Sequence, residues 1–151
     1  MNTEIERKFL VSQPLPDLGP GKAVRQGYLT PARETRATVR VRLVDNLQAF
    51  LTIKSGLGLN RIEVELPLNI DQFEALWPLT DGRRVVKTRY EVALPGGHAA
   101  EFDVYAGHLS GLVTVEVEFD SEADARLFVP PPWFGEEVTG DPRYQNAALA
   151  G

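Results

Sequence analysis

The stretch Glu4-Ile5-Glu6-Arg7-Lys8-Phe9-Leu10 decides how this chain is read. A β-strand sends successive side chains to opposite faces, so Glu4, Glu6 and Lys8 share one face while Ile5, Arg7 and Phe9 share the other. Carboxylates on alternate residues stand about 6 to 7 Å apart at a rise of ~3.3 Å per residue. Like charges so placed repel unless a cation sits over them, and a divalent metal suits. The other strands decide whether this is one wall of a site or the wet side of an ordinary sheet.

The same alternation continues outward along the chain. A strand over residues 24–29 follows a breaker-rich loop, 12–21. Over 36–44, Thr38, Arg40 and Arg42 oppose Val39, Val41 and Leu43, and over 48–54 Thr52 and Lys54 oppose Leu51 and Ile53. The sign then changes: over 61–66, Arg61, Glu63 and Glu65 face away from Ile62, Val64 and Leu66. Over 84–92, Lys87 and Arg89 share a face with Val85, and over 100–105 Glu101, Asp103 and Tyr105 alternate with Phe102 and Val104. Over 112–119, Thr114, Glu116 and Glu118 oppose Val113, Val115, Val117 and Phe119. Helical spacing replaces this period only briefly. It does so over 71–77, with Asp71 as expected N-cap and Glu74 at the capping-box position, and again from Ser121 through Phe128. Asp141-Pro142 starts a last helix, over 142–150. The expected fold is therefore α+β: an antiparallel, roughly eight-stranded β-barrel with a few short helices outside it.

Composition narrows the chemistry. At 151 residues and 43% hydrophobic content the chain forms one domain, 1–151, with a real core. It has no cysteine, which excludes disulfides, thiol nucleophiles and thiolate metal sites. Any metal must take oxygen or nitrogen ligands, and with only His98 and His108 against 21 acidic residues magnesium or manganese is expected and zinc disfavoured. No apolar leader or membrane-length run is present, which reads as a cytoplasmic protein with no membrane partner. The net charge of -5 lacks a uniformly basic footprint, so no nucleic acid is expected. His98 is expected in a solvent-facing turn, His108 in a satisfied structural role, and Trp77 and Trp133 in packing. Gly56-Leu57-Gly58 lacks the ending of a phosphate-binding P-loop.

Any one of these strands is explained by a solvated face, the usual state of antiparallel sheets. The set is not, because solvated faces normally mix signs, and here sign is largely sorted by strand. Such sorting makes physical sense if the charged faces line a common concave interior around a ligand that satisfies both signs. A polyphosphate does: its oxygens accept charge-assisted hydrogen bonds from arginine and lysine, and its metal ions are held by carboxylates.

Glu4-Ile5-Glu6-Arg7-Lys8 also matches the E-x-E-x-K motif of the CYTH domain superfamily, the triphosphate tunnel metalloenzymes. Further segments resemble that family in family order, among them Val39-Arg40-Val41-Arg42, Leu51-Thr52-Ile53-Lys54, Glu63-Val64-Glu65, Lys87-Thr88-Arg89-Tyr90, Val115-Glu116-Val117-Glu118 and Glu137-Val138-Thr139. The resemblance implies a triphosphate-binding barrel. Glu4, Glu6, Glu63, Glu65, Asp103, Glu116 and Glu118 would then be metal ligands for two divalent ions, Mg2+ or Mn2+. Lys8, Arg40, Arg42, Lys54, Lys87 and Arg89 would bind the substrate, with Lys8, Glu116 and Glu118 catalytic. The short bacterial members this chain is most similar to are mainly inorganic triphosphatases, so hydrolysis of inorganic triphosphate to diphosphate and phosphate is expected. Thiamine triphosphatase and class IV adenylyl cyclase are the alternatives within the family, and a polyphosphate-binding module without turnover is the alternative outside it. The sequence continues only to Gly151, soon after Tyr144-Gln145-Asn146, which leads us to expect a cleft open along one side rather than a closed tunnel.

Overall fold

The structure, a computed structural model, describes residues 5–12, 14–31, 37–55 and 62–151. In chain order the strands are β1 (Ile5–Val11), β2 (Lys22–Tyr28), β3 (Ala37–Val44), β4 (Gln48–Ser55), β5 (Ile62–Leu68), β6 (Arg84–Ala93), β7 (Ala99–Tyr105), β8 (Val113–Phe119) and β9 (Phe134–Glu137). Three short α-helices punctuate them: α1 (Ile70–Leu76), α2 (Glu122–Leu127) and α3 (Asn146–Ala150). All nine strands form one antiparallel sheet in the order β5-β4-β3-β2-β6-β7-β8-β1-β9. β5 and β9 are its ends, so the sheet is not closed into a barrel. The expected architecture holds with one strand more, the four-residue β9, which pairs with β1.

The outer face carries the apolar positions that the alternation marks. Phe9, Phe102, Val113, Val115, Val117 and Phe119 pack with Phe134 and Ala125 into the largest cluster, under β9 and α2. A second cluster joins Val41, Leu43 and Ala49 to Phe73 of α1. Arg25 lies over the rings of Phe73 and Trp77, at 5.4 and 4.7 Å from their centroids. Trp77 stacks on Phe73 and packs as expected, whereas Trp133 stacks on Phe102 from the surface, 40% exposed. His98 differs from expectation: its ring meets Phe119 and Phe128 edge-on at 5.1 and 5.4 Å. Its turn folds back over the aromatic cluster.

Of the expected helix starts, the one at Ser121 holds and the other two differ. The N-cap of α1 is Asn69, not Asp71, because its side chain accepts from Gln72 N at 2.8 Å and the Gln72 side chain accepts from Asn69 N at 2.9 Å. Ser121 caps α2, accepting from Asp124 N. The helix expected over 142–150 divides. Asp141 caps a single 3-10 turn at Pro142–Tyr144, and α3 begins only at Asn146.

Candidate functional site

The inward face is built from the alternate positions of eight strands, β1 to β8, and pairing register fixes which side chains meet. In one row Glu101 of β7 stands opposite Glu116 of β8, which stands opposite Lys8 of β1. One step to one side of that row, Arg89 of β6 faces Asp103 of β7, which faces Thr114 of β8; one step to the other side, Glu6 of β1 faces Glu118 of β8. On the other half Tyr28 of β2 faces Arg40, Arg40 faces Thr52, and Thr52 faces Glu65 of β5. Lys54 faces Glu63. Every described member of the expected set therefore lies on one face. Glu4, like the turn at residues 56–58 and Arg61, falls outside the described residues.

The deepest side chains of that face are mostly cationic. Arg40, Lys87 and Asp103 are 7%, 2% and 2% exposed, and half-buried Arg42 and Arg89 lie beside them. The floor of the cleft thus holds four cations and one carboxylate among these residues. The other carboxylates lie nearer the opening: Glu6, Glu65 and Glu118 are exposed, and Glu63, Glu101 and Glu116 half-buried.

Asp103 is the hub of the floor. Lys87 Nζ donates to its Oδ2 at 2.7 Å, while Arg89 donates from Nε to Oδ1 at 2.9 Å and from Nη2 to Oδ2 at 3.0 Å. Arg89 Nη1 lies 2.8 Å from Glu101. Burial works to raise the Asp103 pKa, but Lys87 and Arg89 override it and hold the carboxylate well below its ordinary range. Asp103, expected among the metal ligands, instead has both oxygens engaged by these two cations. Lys87 shares that carboxylate with Arg89, so its own charge is incompletely offset. Burial first, then Arg89 and Arg42, lower its pKa to about 7 against the pull of Asp103. Burial, with Arg40 and Arg89 nearby, lowers Arg42 to about 10.

Among the described residues, two buried polar atoms on this face have no hydrogen-bond partner: Arg40 Nε and Gln26 Nε2. Arg42 Nε donates to Gln26 Oε1 at 3.0 Å, which fixes that amide. A buried guanidinium N–H without an acceptor is costly unless a ligand supplies one. Lys8 Nζ donates to Tyr144 O at 2.6 Å and lies 3.4 Å from Glu116 Oε1. Burial would raise Glu116, but Lys8 leads the cations that lower it, whereas burial raises Glu101 despite Arg89.

At one end the concave face is filled by the chain itself. Tyr28, Val85 and Tyr105 pack with Ala150, and Leu109, Leu112, Ala147 and Leu149 close around them. Tyr105 Oη donates to Asn146 Oδ1 at 3.0 Å, and His108 Nε2 lies 3.1 Å from Leu149 O, a structural contact as expected. Gln26, Tyr28, Thr52 and Thr114 are not among the site residues expected from the sequence. The period of two already places Gln26 and Tyr28 on one face of β2, and Thr52 and Thr114 with the charged residues of β4 and β8.

Among the described residues no three of His, Asp or Glu converge tightly enough to make a ready metal cage. The donor set still fits a hard cation. Glu6 and Glu118 face each other directly, both exposed and both oxygen donors, an arrangement of like charges that a divalent ion would relieve. Magnesium is commonly bound by one or two carboxylates, with water and substrate oxygens completing the shell.

The chain matches the CYTH domain family over residues 2–139. It is 56% identical to an inorganic triphosphatase of Nitrosomonas europaea, over 98% of this chain and 97% of the relative. An inorganic triphosphatase of Acetivibrio thermocellus is 38% identical, over 99% and 94% of the two chains. A solved crystal structure of an inorganic triphosphatase superposes with a TM-score of 0.78 at 53% identity, covering 99% of this chain and 95% of that one. A Pyrococcus horikoshii structure at 22% identity and a TM-score of 0.53, covering 80% of each chain, shares the fold. With its E-x-E-x-K strand, its two-signed concave sheet and these relatives, the chain belongs to the CYTH domain family.

Proposed function

We propose that the chain hydrolyses inorganic triphosphate, with water, to diphosphate and phosphate. The observation that carries this reading is the cation-rich floor, where Arg40 keeps a buried N–H with no acceptor among the described residues and Lys87 shares its counter-ion with Arg89. A chain of phosphates laid along that floor supplies oxygens to Arg40, Arg42, Lys87 and Arg89. The similarity to two inorganic triphosphatases over nearly the full length of each supports the choice of substrate.

Glu6 and Glu118, with Glu116 beside them, would hold one divalent ion, magnesium or manganese. Glu63 and Glu65 across the cleft would hold a second. When bound, such an ion neutralises phosphate oxygens and acidifies a water molecule. The floor cations orient the triphosphate and offset charge that builds on the bridging oxygen as the bond to the terminal phosphorus breaks. Lys8, held by Tyr144 O and Glu116, stands beside these carboxylates and steadies or protonates the departing diphosphate. Glu116 and Glu118 orient the attacking water. Asp103 is a positioning residue, which keeps Lys87 and Arg89 aimed at the substrate.

The test is phosphate release from triphosphate, thiamine triphosphate, ATP and long polyphosphate, with and without magnesium or manganese. Release from triphosphate that far exceeds the others, is abolished by chelation, and drops at least 100-fold in Glu6→Gln and Glu118→Gln is expected. A cyclic nucleotide product, or binding without release, overturns the reading.

A further inference from the structure

Two arginines in the floor of the cleft are held by different means. Arg89 is held by the carboxylate of Asp103, which accepts from its Nε and Nη2. Arg42 is held by an amide: its Nε donates to Gln26 Oε1 at 3.0 Å. Gln26 is fully buried, and pairing register sets it opposite Arg42 of β3 on one side and Val85 of β6 on the other. Arg40 and Lys87 are its diagonal neighbours, since Tyr28 faces Arg40 and Val24 faces Lys87. The amide thus stands among cations from both adjoining strands.

Glutamine is the less stable choice for that place. With Oε1 fixed by Arg42, the amide nitrogen points the other way, and among the described residues Nε2 finds no acceptor. A buried donor left unpaired destabilises the fold. A glutamate of the same length would accept from Arg42 equally well, strand no donor and offset part of the surrounding positive charge. It would also neutralise Arg42, as Asp103 does Arg89. In the chain as it stands, burial and then the cations Arg40 and Arg89 lower the Arg42 pKa, the direction expected of a guanidinium without a carboxylate of its own.

We propose that Gln26 is a positioning residue that aims Arg42 into the cleft and, being neutral, leaves its whole charge for the substrate. The inference rests on the reading of the floor as a triphosphate site. With Nε on the amide, the Nη1–Nη2 edge of the guanidinium is turned elsewhere, and this edge matches two phosphate oxygens. A neutral holder gives up stability of the empty cleft in exchange for affinity.

The test is Gln26→Glu, which keeps the shape and the acceptor and adds the charge. Calorimetry with a chelator present reads the binding of tripolyphosphate, and thermal unfolding without ligand reads stability. Affinity should fall about 100-fold, the order expected of one added like charge in a partly polar site, while Tm of the empty protein rises. Opposite signs are the signature, because a side chain that only packs moves both the same way or neither. Gln26→Met fills the space without accepting from Nε, and should weaken binding about 10-fold with little change in Tm. It decides the matter if Gln26→Glu fails to fold. A Gln26→Glu protein that binds as tightly as the unmodified one overturns the proposal, and so does one that loses affinity and Tm together. Unchanged binding by Gln26→Met also overturns it. An unmodified protein that binds tripolyphosphate but releases no phosphate overturns hydrolysis, and the affinities of the variants still decide the role of Gln26. One that does not bind it overturns both.

Discussion

Asp103 accepts from Lys87 and twice from Arg89 while only 2% exposed, so loss of its charge leaves two cations facing each other in the floor of the cleft. Breaking one side of a buried ion pair costs about 3–5 kcal/mol. Asp103→Asn should therefore lower the urea-unfolding free energy by about that amount. Lys87→Met should cost less, since Arg89 still satisfies the carboxylate. Lys87 also fixes a pH dependence. Its folded pKa, about 7, lies below the ordinary 10.5, so between those values the unfolded chain binds a proton that the folded chain does not. Stability attributable to this residue then rises with pH across that window. Urea unfolding at pH 7 and pH 9 should show the rise in the unmodified protein and a flatter response in Lys87→Met. Triphosphate favours the ammonium form, so its binding near pH 8 should take up protons. Calorimetry in buffers of different ionisation enthalpy would detect that uptake, and Lys87→Met should reduce it.

At the scale of elements, the tightest junction is between β2 and the 3-10 turn Trp77–Thr80 that follows α1. A Cβ at Gly27 would collide with the Thr80 side chain, whose hydroxyl donates to Trp77 O at 2.7 Å and accepts from Arg84 Nε at 3.0 Å. Gly27→Ala should cost about 1–3 kcal/mol as an overpacked contact. Gly27→Ala combined with Thr80→Ser should recover little of it, measured by thermal unfolding, because serine keeps the hydroxyl and Cβ that the new methyl meets most closely. Asn69→Ala removes the cap of α1 and should cost about 1 kcal/mol. Asn69 also shows where sequence reading stops. Asn69 with Gln72 and Asp71 with Glu74 are two overlapping cap patterns, and β5 running on to Leu68 selects the first. β9 escaped notice because Phe134-Gly135-Glu136-Glu137 has no alternation and follows three prolines; its pairing with β1 is a tertiary choice. The faces of the longer strands were legible, because a period of two assigns Glu6, Lys8, Arg40, Lys87, Asp103 and Glu118 to one side wherever the sheet curves. Depth was not legible. Nothing in the local pattern distinguishes Lys87, buried, from Glu6, exposed, because curvature and the packing of Ala150 against Val85 set that difference.

For the whole molecule, a cleft floor with surplus positive charge is a stability cost that an anion relieves. Tripolyphosphate should therefore stabilise the chain even with a chelator present, when hydrolysis is stopped. At one hundred times its dissociation constant a ligand adds ~2.7 kcal/mol, which for a domain of this size raises Tm by about 5 to 10 °C. Differential scanning fluorimetry would read it, and sulfate at equal ionic strength should give a smaller rise. The sheet order also has a temporal side. β2 to β5 pair with chain neighbours, as do β6 to β8, but Ile5 of β1 lies opposite Phe119 of β8. Hairpins between neighbours close early, while a pairing that joins the two ends of a chain must await the longest loop closure. During synthesis β1 has no partner until β8 has emerged. The strand bearing Glu6 and Lys8 therefore docks late, and competence toward phosphate arrives as one of the last events of folding. Until then the β8 edge and its valine-rich outer face are open, and growing chains are most prone to aggregate in that interval.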